Sequence, residues 1–276
     1  MPYRGAMADT ARRTALITGT SSGLGRGVAE RLVALGWDVL GTVRGDIAGL
    51  SFDTVRCDVT DDAAVTRLGA IVADRWGRLD ALINNAGWAI SGPVEELEPA
   101  ELRRQLDINL VAPLAVVRAC LPALRAAKGA VVQVSSVSGY SATEGLWAPY
   151  CASKFGLEGA SEVLSAELAE QGIRVAIVEP GAFRTDIATK SPQVAGKGST
   201  GRYDEMWRGL DEWLAWHAAS SPSADACIDA IVGAATRPEA PLRIPVGEGI
   251  AEELRRKGAE MIAQADAADA FLASLD

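Results

Sequence analysis

Tyr150 and Lys154 are the two residues whose types and spacing most directly indicate chemistry. Four positions apart, they share one face of a helix, one turn from each other. A phenol has a pKa of about 10, and an ammonium within about 4–6 Å lowers that value by about 1–3 units. Pro149 favours a helix that begins here. The pair predicts a tyrosine that exchanges protons near neutral pH, although the spacing is common and a surface lysine beside a half-buried tyrosine is the alternative.

Short apolar runs alternate with amphipathic helical segments along the chain, and this rhythm predicts the elements that position the pair. A helix is predicted from about 150 to 172, and a helical stretch from 100 to 127 interrupted near Pro113 and Pro122. The alternation predicts an α/β fold with a doubly wound parallel sheet, and Pro245 places the last strand at an edge. The predicted strands are 14–17, 37–43, 54–57, 81–83, 130–134, 173–178 and 242–246.

The 276 residues suit a single domain, because no repeat or linker divides them. We expect a flexible N-terminal extension over 1–13 and one domain over 14–276. Within it, about 187–223 is expected to form a lid over the substrate, and 248–276 a C-terminal helical tail.

Charge and composition exclude several classes of function. Lys and Arg total 27 against 36 Asp and Glu, a net charge of −9, and no basic stripe favours nucleic acid as a partner. The four cysteines form no C-x-x-C pair and there is a single histidine, so no metal site is expected. No secretory signal and no apolar run of membrane-spanning length is recognised. We therefore expect a cytoplasmic protein without a membrane partner.

The segment 18–25 follows the first predicted strand and precedes a helix, with glycines at 19, 23 and 25. A strand, a glycine-rich turn and a helix together aim free backbone N–H groups and the helix dipole at a phosphate. A plain Gly/Ser turn is the alternative. The position of the segment 18–25 in the first strand–helix unit favours dinucleotide binding.

Arg44 ends the second predicted strand, where a dinucleotide fold carries its ribose discriminator. An acid there selects NAD, whereas an arginine accommodates the 2′-phosphate of NADP. Asp46 lies just beyond the strand, and Arg44 could be an ordinary surface residue. Its position favours NADP(H) over NAD(H).

Several motifs occur together, in order, between Thr14 and about Val246, and this set resembles the short-chain dehydrogenase/reductase family in its single-domain subtype. The motifs are the glycine turn 18–25, Asn84–Gly87, Asn109, Ser136, Tyr150 with Lys154, and Pro180-Gly181. The resemblance implies a Rossmann-like sheet of about seven strands. It also implies an enzyme that moves a hydride between a nicotinamide and a carbonyl or alcohol.

Carried over from the family, the catalytic residues are Asn109, Ser136, Tyr150 and Lys154. Tyr150 would protonate the carbonyl oxygen in reduction or deprotonate the alcohol in the reverse direction, and Ser136 would hold that oxygen. Lys154 would lower the pKa of Tyr150 and bind the ribose, and Asn109 would position a water that links Lys154 to solvent. Ser135 and Ser138 compete with Ser136 for its role, with Ser138 as the reserve.

The resemblance also assigns the cofactor site. The glycine turn would hold the pyrophosphate, Asp58 and Val59 the adenine, and Thr185 the carboxamide. Ser22 stands where NADP-dependent relatives often carry a basic residue, so the 2′-phosphate would depend mainly on Arg44. The expected cofactor-binding residues are Gly19, Ser21, Ser22, Gly23, Leu24, Gly25, Arg44, Asp58, Val59, Asn85, Ala86, Gly87, Tyr150, Lys154, Pro180, Gly181 and Thr185.

The substrate side gives fewer signals. Aromatic side chains would surround the pocket if the segment after Thr185 covers it, which favours a hydrophobic ketone or secondary alcohol. Packing or subunit contacts are the alternative for the tryptophans of 207–216, and His217 is expected to be structural. A homodimer or homotetramer is expected through helices 100–127 and 150–172. An NAD(H)-dependent enzyme and a non-catalytic sensor remain the alternatives. The candidates, six aromatic residues and one methionine, are Trp88, Tyr140, Trp147, Phe183, Met206, Trp207 and Trp213.

Overall fold

A seven-stranded parallel sheet forms the centre of the computed structural model, which describes residues 12–142, 145–184 and 196–275. All seven predicted strands are confirmed, with boundaries that move by one or two residues. The strands are β1 Thr14–Ile17, β2 Asp38–Val43, β3 Asp53–Arg56, β4 Ala81–Asn84, β5 Ala130–Val134, β6 Arg174–Pro180 and β7 Arg243–Val246.

The sheet order is β3-β2-β1-β4-β5-β6-β7, so the chain reverses its direction of winding between β1 and β4. Every pairing is parallel. Ligands of open α/β sheets bind outside the carboxyl ends of the strands at such a switch point. β7, which contains Pro245, is an edge strand, as the sequence predicts.

Helices cover both faces of the sheet and join its strands. A 3₁₀ turn at Val94–Glu96, a π-helical turn at Asp107–Val111 and a 3₁₀ turn at Val137–Gly139 complete the described elements. The helices are α1 Gly23–Ala34, α2 Asp62–Trp76, α3 Pro99–Leu106, α4 Ala112–Ala127, α5 Ala148–Ala169, α6 Asp204–Ser220, α7 Asp225–Thr236 and α8 Ile250–Ala273.

Two hydrophobic layers hold the helices to the sheet. On one face, Ile17 and Val28 of β1 and α1 pack with Ile231 of α7. On the other, Leu82 of β4 packs with Leu124 of α4 and its neighbours. Each fully buried aliphatic side chain contributes about 1.5–3 kcal/mol, so these layers fix where the strand ends meet.

The helical stretch 99–127 is distorted at a different place from the one expected. The interruption is the π-helical turn Asp107–Val111, not a break at Pro113 or Pro122. Pro113 stands in the first turn of α4, where a proline has no N–H to lose. The π turn contains one extra residue per turn, and Asn109 is the buried residue at its centre.

The same stretch, Pro99–Ala127, is long and apolar enough by composition to cross a membrane, with a hydropathy of 1.6. The expectation that no apolar segment approaches this length is therefore wrong here. Val116, Val117 and Cys120 of α4 nevertheless pack in the core beneath the sheet. Core packing accounts for the apolar character of this inner face.

Candidate active site

An open cleft of about 810 Å3 lies at the carboxyl ends of the central strands and gathers most of the predicted site residues. Gly25 and Asn109 lie behind its wall, and Thr185 lies outside the described residues. The predicted residues that line it are Gly19, Ser21, Ser22, Gly23, Leu24, Arg44, Asp58, Val59, Asn85, Ala86, Gly87, Ser136, Tyr150, Lys154, Pro180 and Gly181.

The glycine turn between β1 and α1 is closely surrounded by backbone. Gly19 has a φ of 73°, and a Cβ there would lie 2.9 Å from Cα of Ala86. A Cβ on Gly25 would collide with the Asn85 amide and with the carbonyl oxygen of Gly19. The turn is therefore a glycine-only cradle at the N-terminus of α1. This arrangement fits a pyrophosphate.

The turn after β4 braces this cradle. Asn85 Nδ2 donates hydrogen bonds to the carbonyl oxygens of Thr18, at 2.9 Å, and Gly19, at 3.0 Å. Thr18 Oγ1 accepts hydrogen bonds from the backbone N–H groups of Asn85 and Ala86. Asn85 therefore holds the shape of the turn, a role that the sequence did not reveal.

Thr42 is a second support that the sequence analysis missed. Its Oγ1 accepts a hydrogen bond from the backbone N–H of Gly19 at 3.1 Å, and its carbonyl oxygen accepts one from Thr20. It occupies an interior position of β2, two residues before Arg44. A threonine inside a strand gives no signal of this kind without the register between β1 and β2.

Arg44 is exposed at the carboxyl end of β2 and lines the cleft, with no carboxylate beside it in the strand. Asp58 lies opposite and accepts hydrogen bonds from the N–H and hydroxyl of Thr60. These bonds, with smaller contributions from the charges of Arg44 and Arg104, hold the pKa of Asp58 below its usual value. Asp61, not Asp58, caps α2, by accepting from the N–H groups of Ala63 and Ala64.

Tyr150 stands in the first turn of α5 and its phenol forms a hydrogen bond with Ser136. Ser136 begins the 3₁₀ turn after β5, and its Oγ also accepts a hydrogen bond from the N–H of Ser138. Of the three competing serines, the geometry thus brings Ser136 to the tyrosine. Ser135 also borders the cleft, but its Oγ is buried on the side of Gly139 and Glu158 and has no hydrogen-bond partner.

Burial raises the pKa of Tyr150 to about 12, and the hydrogen bond from Ser136 only partly offsets this. The expectation that Lys154 lowers this pKa is therefore wrong for the protein alone. Lys154 Nζ lies 5.8 Å from the centre of the Tyr150 ring. Desolvation of the phenolate outweighs a lysine charge that is already engaged elsewhere.

Lys154 is 6% exposed, and its Nζ donates a hydrogen bond to the carbonyl oxygen of Val134 at 2.8 Å. Burial lowers its pKa to about 8, against the attraction of Glu158 one turn further along α5. At neutral pH the lysine is therefore mostly charged and the tyrosine carries its proton.

Asn109 ties the π-helical turn to the loop after β4. Its Oδ1 accepts from the backbone N–H of Trp88 at 2.9 Å, and its Nδ2 donates to the Trp88 carbonyl at 2.8 Å and to Ser153 Oγ at 3.1 Å. The side chain is thus fully engaged with protein groups. That Asn109 positions a water stays a prediction. Because its side-chain amide is already hydrogen-bonded, the backbone of Asn109 would have to bind that water.

Aromatic rings form the wall of the cleft beyond Tyr150. Trp147 packs edge-on against Tyr150, with centroids 5.9 Å apart, and against Trp213 at 6.0 Å. His217 stacks on Trp213 at 4.9 Å and bonds to Ser221, and burial lowers its pKa. The neutral imidazole is therefore part of an apolar surface that a hydrophobic molecule can contact.

Only some of the seven residues expected around the pocket, six aromatic and one methionine, reach this wall. Trp88, Trp147, Phe183 and Trp213 line the cleft. Tyr140, Met206 and Trp207 lie outside it: the Tyr140 hydroxyl donates to the Ile250 carbonyl, Met206 is exposed, and Trp207 is buried with Ile90 and Leu146. The segment 204–217 is therefore both a cleft wall and a packing surface.

Glu96 holds the segment that precedes α6, a role that no sequence pattern indicated. It is 5% exposed and accepts hydrogen bonds from Gly198, Thr200 and the Trp207 indole. This buried carboxylate fixes the base of the wall. Within the ranges that the structure describes, no cluster of His, Cys, Asp and Glu has the arrangement of a metal site.

Comparisons with known proteins show which family this chain belongs to. The family model for short chain dehydrogenases matches residues 13–195. Oxidoreductase BOA17 of Botryotinia fuckeliana is 34% identical over 261 residues, which cover 91% of this chain and 94% of that protein. The NADPH-dependent 3-dehydrocapnine reductase of Ornithobacterium rhinotracheale is 32% identical over 217 residues, or 72% of this chain and 76% of that protein.

A solved structure of a short-chain dehydrogenase from Streptomyces avermitilis superposes with a TM-score of 0.82 at 30% sequence identity. The superposition covers 96% of this chain and 99% of that one, so the whole sheet and its helices are shared. The chain is an oxidoreductase and belongs to the short-chain dehydrogenase/reductase family.

Proposed function

We propose that the protein uses NADP(H) to reduce a hydrophobic ketone to a secondary alcohol, and catalyses the reverse reaction when the alcohol is in excess. The observation that carries this proposal is the placement of Tyr150, Ser136 and Lys154 at the floor of a cleft. The glycine cradle and Arg44 line the same cleft.

The residues present fit a nicotinamide dinucleotide. Neighbouring protein atoms leave no space for a side chain at Gly19 or Gly25, so the turn keeps bare backbone that a phosphate can approach, and the N-terminus of α1 favours a negatively charged group. Asn85 and Lys154 would hold the cofactor further along the cleft. When bound, the nicotinamide supplies or accepts the hydride.

The proton chemistry belongs to the chain's own side chains. Tyr150 carries its proton at neutral pH, because burial raises its pKa to about 12, and is therefore ready to protonate a carbonyl oxygen. Ser136, already bonded to the phenol, donates to the same oxygen and holds it in place. The charged Lys154 stabilises the tyrosinate that forms.

Two observations support NADP(H) over NAD(H). Arg44 places a positive charge at the carboxyl end of β2, and the acid of that strand, Asp38, lies at the opposite end and is paired with Arg75. The reductase of Ornithobacterium rhinotracheale, which matches 72% of this chain, is NADPH-dependent. A planar guanidinium binds a phosphate with two parallel hydrogen bonds, so Arg44 can bind the 2′-phosphate.

The substrate class follows from the wall of the cleft. Trp147, Trp213, Phe183 and neutral His217 offer apolar contact area next to Tyr150. Such a surface favours a carbonyl flanked by apolar groups over a sugar or a charged acid.

The test is a titration of the purified protein with NADPH and with NADH, followed by nicotinamide absorbance on a panel of hydrophobic ketones and alcohols. We expect tighter binding of NADPH and turnover of at least one apolar ketone. Preference for NADH would contradict the cofactor assignment. Tight binding without turnover on the whole panel would favour a non-catalytic dinucleotide sensor.

We also propose that the protein is a homodimer or homotetramer through its long helices. Val111, Phe155 and Val163 are apolar side chains that are 53%, 42% and 59% exposed on the π turn and α5. An apolar surface of this kind is typical of subunit contacts. Light scattering should give a multiple of the 28.8 kDa chain mass, and the mass of one chain would contradict the proposal.

A further inference from the structure

A buried polar layer lies behind the catalytic residues, between the sheet and α5. Gln133 of β5 is paired with Asn84 of β4 and with Ile177 of β6, and Ser135 and Glu179 lie two residues further along. Alternate residues of a strand point to the same face, so these polar side chains share one face of the sheet. Six buried side-chain atoms in the described part of the chain have no protein hydrogen-bond partner: Asn84 Oδ1, Gln133 Oε1 and Nε2, Ser135 Oγ, Glu158 Oε1 and Glu179 Oε2.

Two carboxyl groups in this layer share one counter-ion. Glu158 of α5 and Glu179 of β6 are 3% and 0% exposed. Arg243 Nη1 of β7 bonds to Glu158 Oε2 and, at 2.6 Å, to Glu179 Oε1. Arg243 Nη2 bonds to Glu162 Oε1 at 2.7 Å, on the solvent side. One guanidinium therefore faces three acids, two of which are buried.

The two buried carboxyl groups bind the same nitrogen of Arg243, and each keeps one buried oxygen, Glu158 Oε1 and Glu179 Oε2, without a hydrogen-bond partner. A carboxylate offers only acceptors, so a proton on one of these groups would remove a buried negative charge that the single guanidinium cannot balance. Burial raises the pKa of Glu179, and the neighbouring charge of Glu158 raises it further against the effect of Arg243. Such a pair holds one proton in common, as buried carboxylate dyads do.

The pair is next to Lys154. Lys154 and Glu158 are one turn apart on α5, and Lys154 Nζ binds the carbonyl oxygen of Val134, the residue before Ser135. A Cβ added to Gly139 would lie 2.8 Å from both Ser135 Oγ and Glu158 Oε1. These two unpaired oxygens are thus less than twice that distance apart, a separation that a hydrogen bond from one water molecule to each oxygen can span.

We propose that Glu158 and Glu179 form a proton-storing pair that exchanges protons with Lys154 by way of Ser135. This role depends on the proposed function. In reduction, the O–H bond of Tyr150 breaks and its proton passes to the substrate oxygen, while the reduced nicotinamide supplies the hydride. Lys154 then donates a proton to the tyrosinate, and the proton held by the carboxyl pair reprotonates Lys154. Solvent next to Arg243, whose side chain is 28% exposed, then returns a proton to the pair.

Other charged and titratable groups face the pair from four elements. Their presence means that a pH effect must be assigned by variants and not from a wild-type profile alone. The groups are Lys154 and Glu162 of α5, Arg243 of β7, Tyr140 of the segment after β5, and Glu253 of α8.

Infrared difference spectroscopy in D2O tests the shared proton without any substrate. We expect the wild type at neutral pH to show the band of a protonated, buried carboxylic acid. The band should vanish in Glu158→Gln and in Glu179→Gln, because the remaining carboxyl ionises against Arg243. Glu162→Gln is the matched control on α5, since its carboxylate is exposed, and it should keep the band. Absence of the band in wild type would overturn the proposal.

Lysine NMR tests the coupling to Lys154, also without substrate. The chain contains five lysines, so the Nζ signals can be assigned by substitution. Glu158→Gln should move the titration of Lys154 to lower pH by about one unit, because a nearby carboxylate favours the ammonium. Glu179→Gln leaves Glu158 ionised and so should not lower the pH at which Lys154 titrates, and Glu162→Gln should leave that pH nearly unchanged. An unchanged titration in Glu158→Gln would contradict the link.

Kinetics test the relay itself. In Glu158→Gln and Glu179→Gln we expect kcat to fall several-fold with a larger solvent isotope effect, while NADPH binding and KM stay the same. In Glu158→Gln the alkaline limb of kcat should also move to lower pH. Loss of the infrared band with unchanged kcat and isotope effect would overturn the relay. If the wild type reduces no carbonyl, the proposed function fails, and the spectroscopic arms still decide on the pair.

Gly139→Ala gives a variant that changes no charge and does not depend on the folding of the glutamine variants. Its methyl group would lie 2.8 Å from Glu158 Cγ, Glu158 Oε1 and Ser135 Oγ, so the Glu158 side chain would have to shift away from Ser135. We expect the infrared band to remain and kcat to fall with a raised solvent isotope effect. Wild-type kcat in a folded Gly139→Ala protein would contradict passage between these two side chains.

Discussion

Lys154 donates a hydrogen bond from Nζ to the carbonyl oxygen of Val134, the last residue of β5, at 2.8 Å. This bond holds the ammonium beneath the Tyr150 ring at the floor of the cleft. Val134 ends a strand whose five residues are all buried, so the position of the charge is set by the core of the sheet. The catalytic pair is therefore part of the hydrophobic framework and not an addition to its surface.

Burial of Lys154 predicts a stability that depends on pH. Its pKa is lowered from 10.5 to about 8, a difference worth about 3 kcal/mol. Because the folded pKa is lowered, burial of the charged lysine destabilises the folded state fully below about pH 8. This destabilisation disappears as the pH rises to 10.5. Relative to Lys154→Met, the wild type should gain up to about 3 kcal/mol of unfolding free energy across that interval.

Urea unfolding of both proteins at several pH values between 7 and 10.5 measures this difference. Lys257→Met on α8, a helix without buried side chains, is the control and should show no such trend. A constant difference between wild type and Lys154→Met would mean that the ammonium is not desolvated.

Arg44→Ala should weaken NADPH binding by about ten- to a hundredfold and leave NADH binding within about twofold. A charge-assisted hydrogen bond to a phosphate contributes about 1.5–3 kcal/mol, and NADH has no phosphate at that position. Fluorescence titration with each cofactor measures the effect. Arg56→Ala on the neighbouring strand β3 is the control, since Arg56 is exposed outside the cleft. Equal losses for both cofactors would refute the role of Arg44.

Gly25→Ala should abolish tight cofactor binding. The new methyl group would collide with the Gly19 carbonyl, which is backbone and cannot move aside without opening the turn. Gly233→Ala on α7 is the matched control, because nothing lies within 4 Å of its Cβ position, and it should keep wild-type binding. It should also be slightly stabilising, by up to about 1 kcal/mol. Wild-type NADPH affinity in Gly25→Ala would argue against the cradle.

Trp213→Ala should raise the KM for an apolar ketone by about ten- to a hundredfold, with a much smaller change for a short, polar ketone. Trp213 lines the cleft between Trp147 and His217, and a buried aromatic contact contributes about 1–3 kcal/mol. Trp216 is on the same helix, 56% exposed and outside the cleft, so Trp216→Ala is the control. Similar effects of both variants on KM would show that α6 serves only as a packing surface.

Local patterns were sufficient for most of the fold. Buried strands such as Ala81–Asn84 are short apolar runs between turns, and Pro245 marks an edge strand because it cannot donate to a neighbour. The spacing of Tyr150 and Lys154 needs only the geometry of one helix. These features depend on residues close together in the chain.

Features that depend on tertiary contacts could not be predicted from local sequence patterns. The pKa of Tyr150 follows from its burial, which overrides the lysine charge that the spacing suggested. The π turn at Asn109 reflects hydrogen bonds to Trp88, twenty-one residues away, and not the prolines nearby. The cluster of Glu158, Glu179 and Arg243 exists only because α5 packs over β6 and β7 in one particular register.

The most direct test of the account is the turnover of an apolar ketone by wild type and Tyr150→Phe, measured as NADPH absorbance. Phenylalanine keeps the ring that packs against Trp147 and removes only the hydroxyl that carries the proton. We expect turnover to fall by at least about a hundredfold, with the Kd for NADPH within about twofold of wild type. Activity within a few-fold of wild type, with intact cofactor binding, would contradict the assignment of Tyr150 as the proton donor.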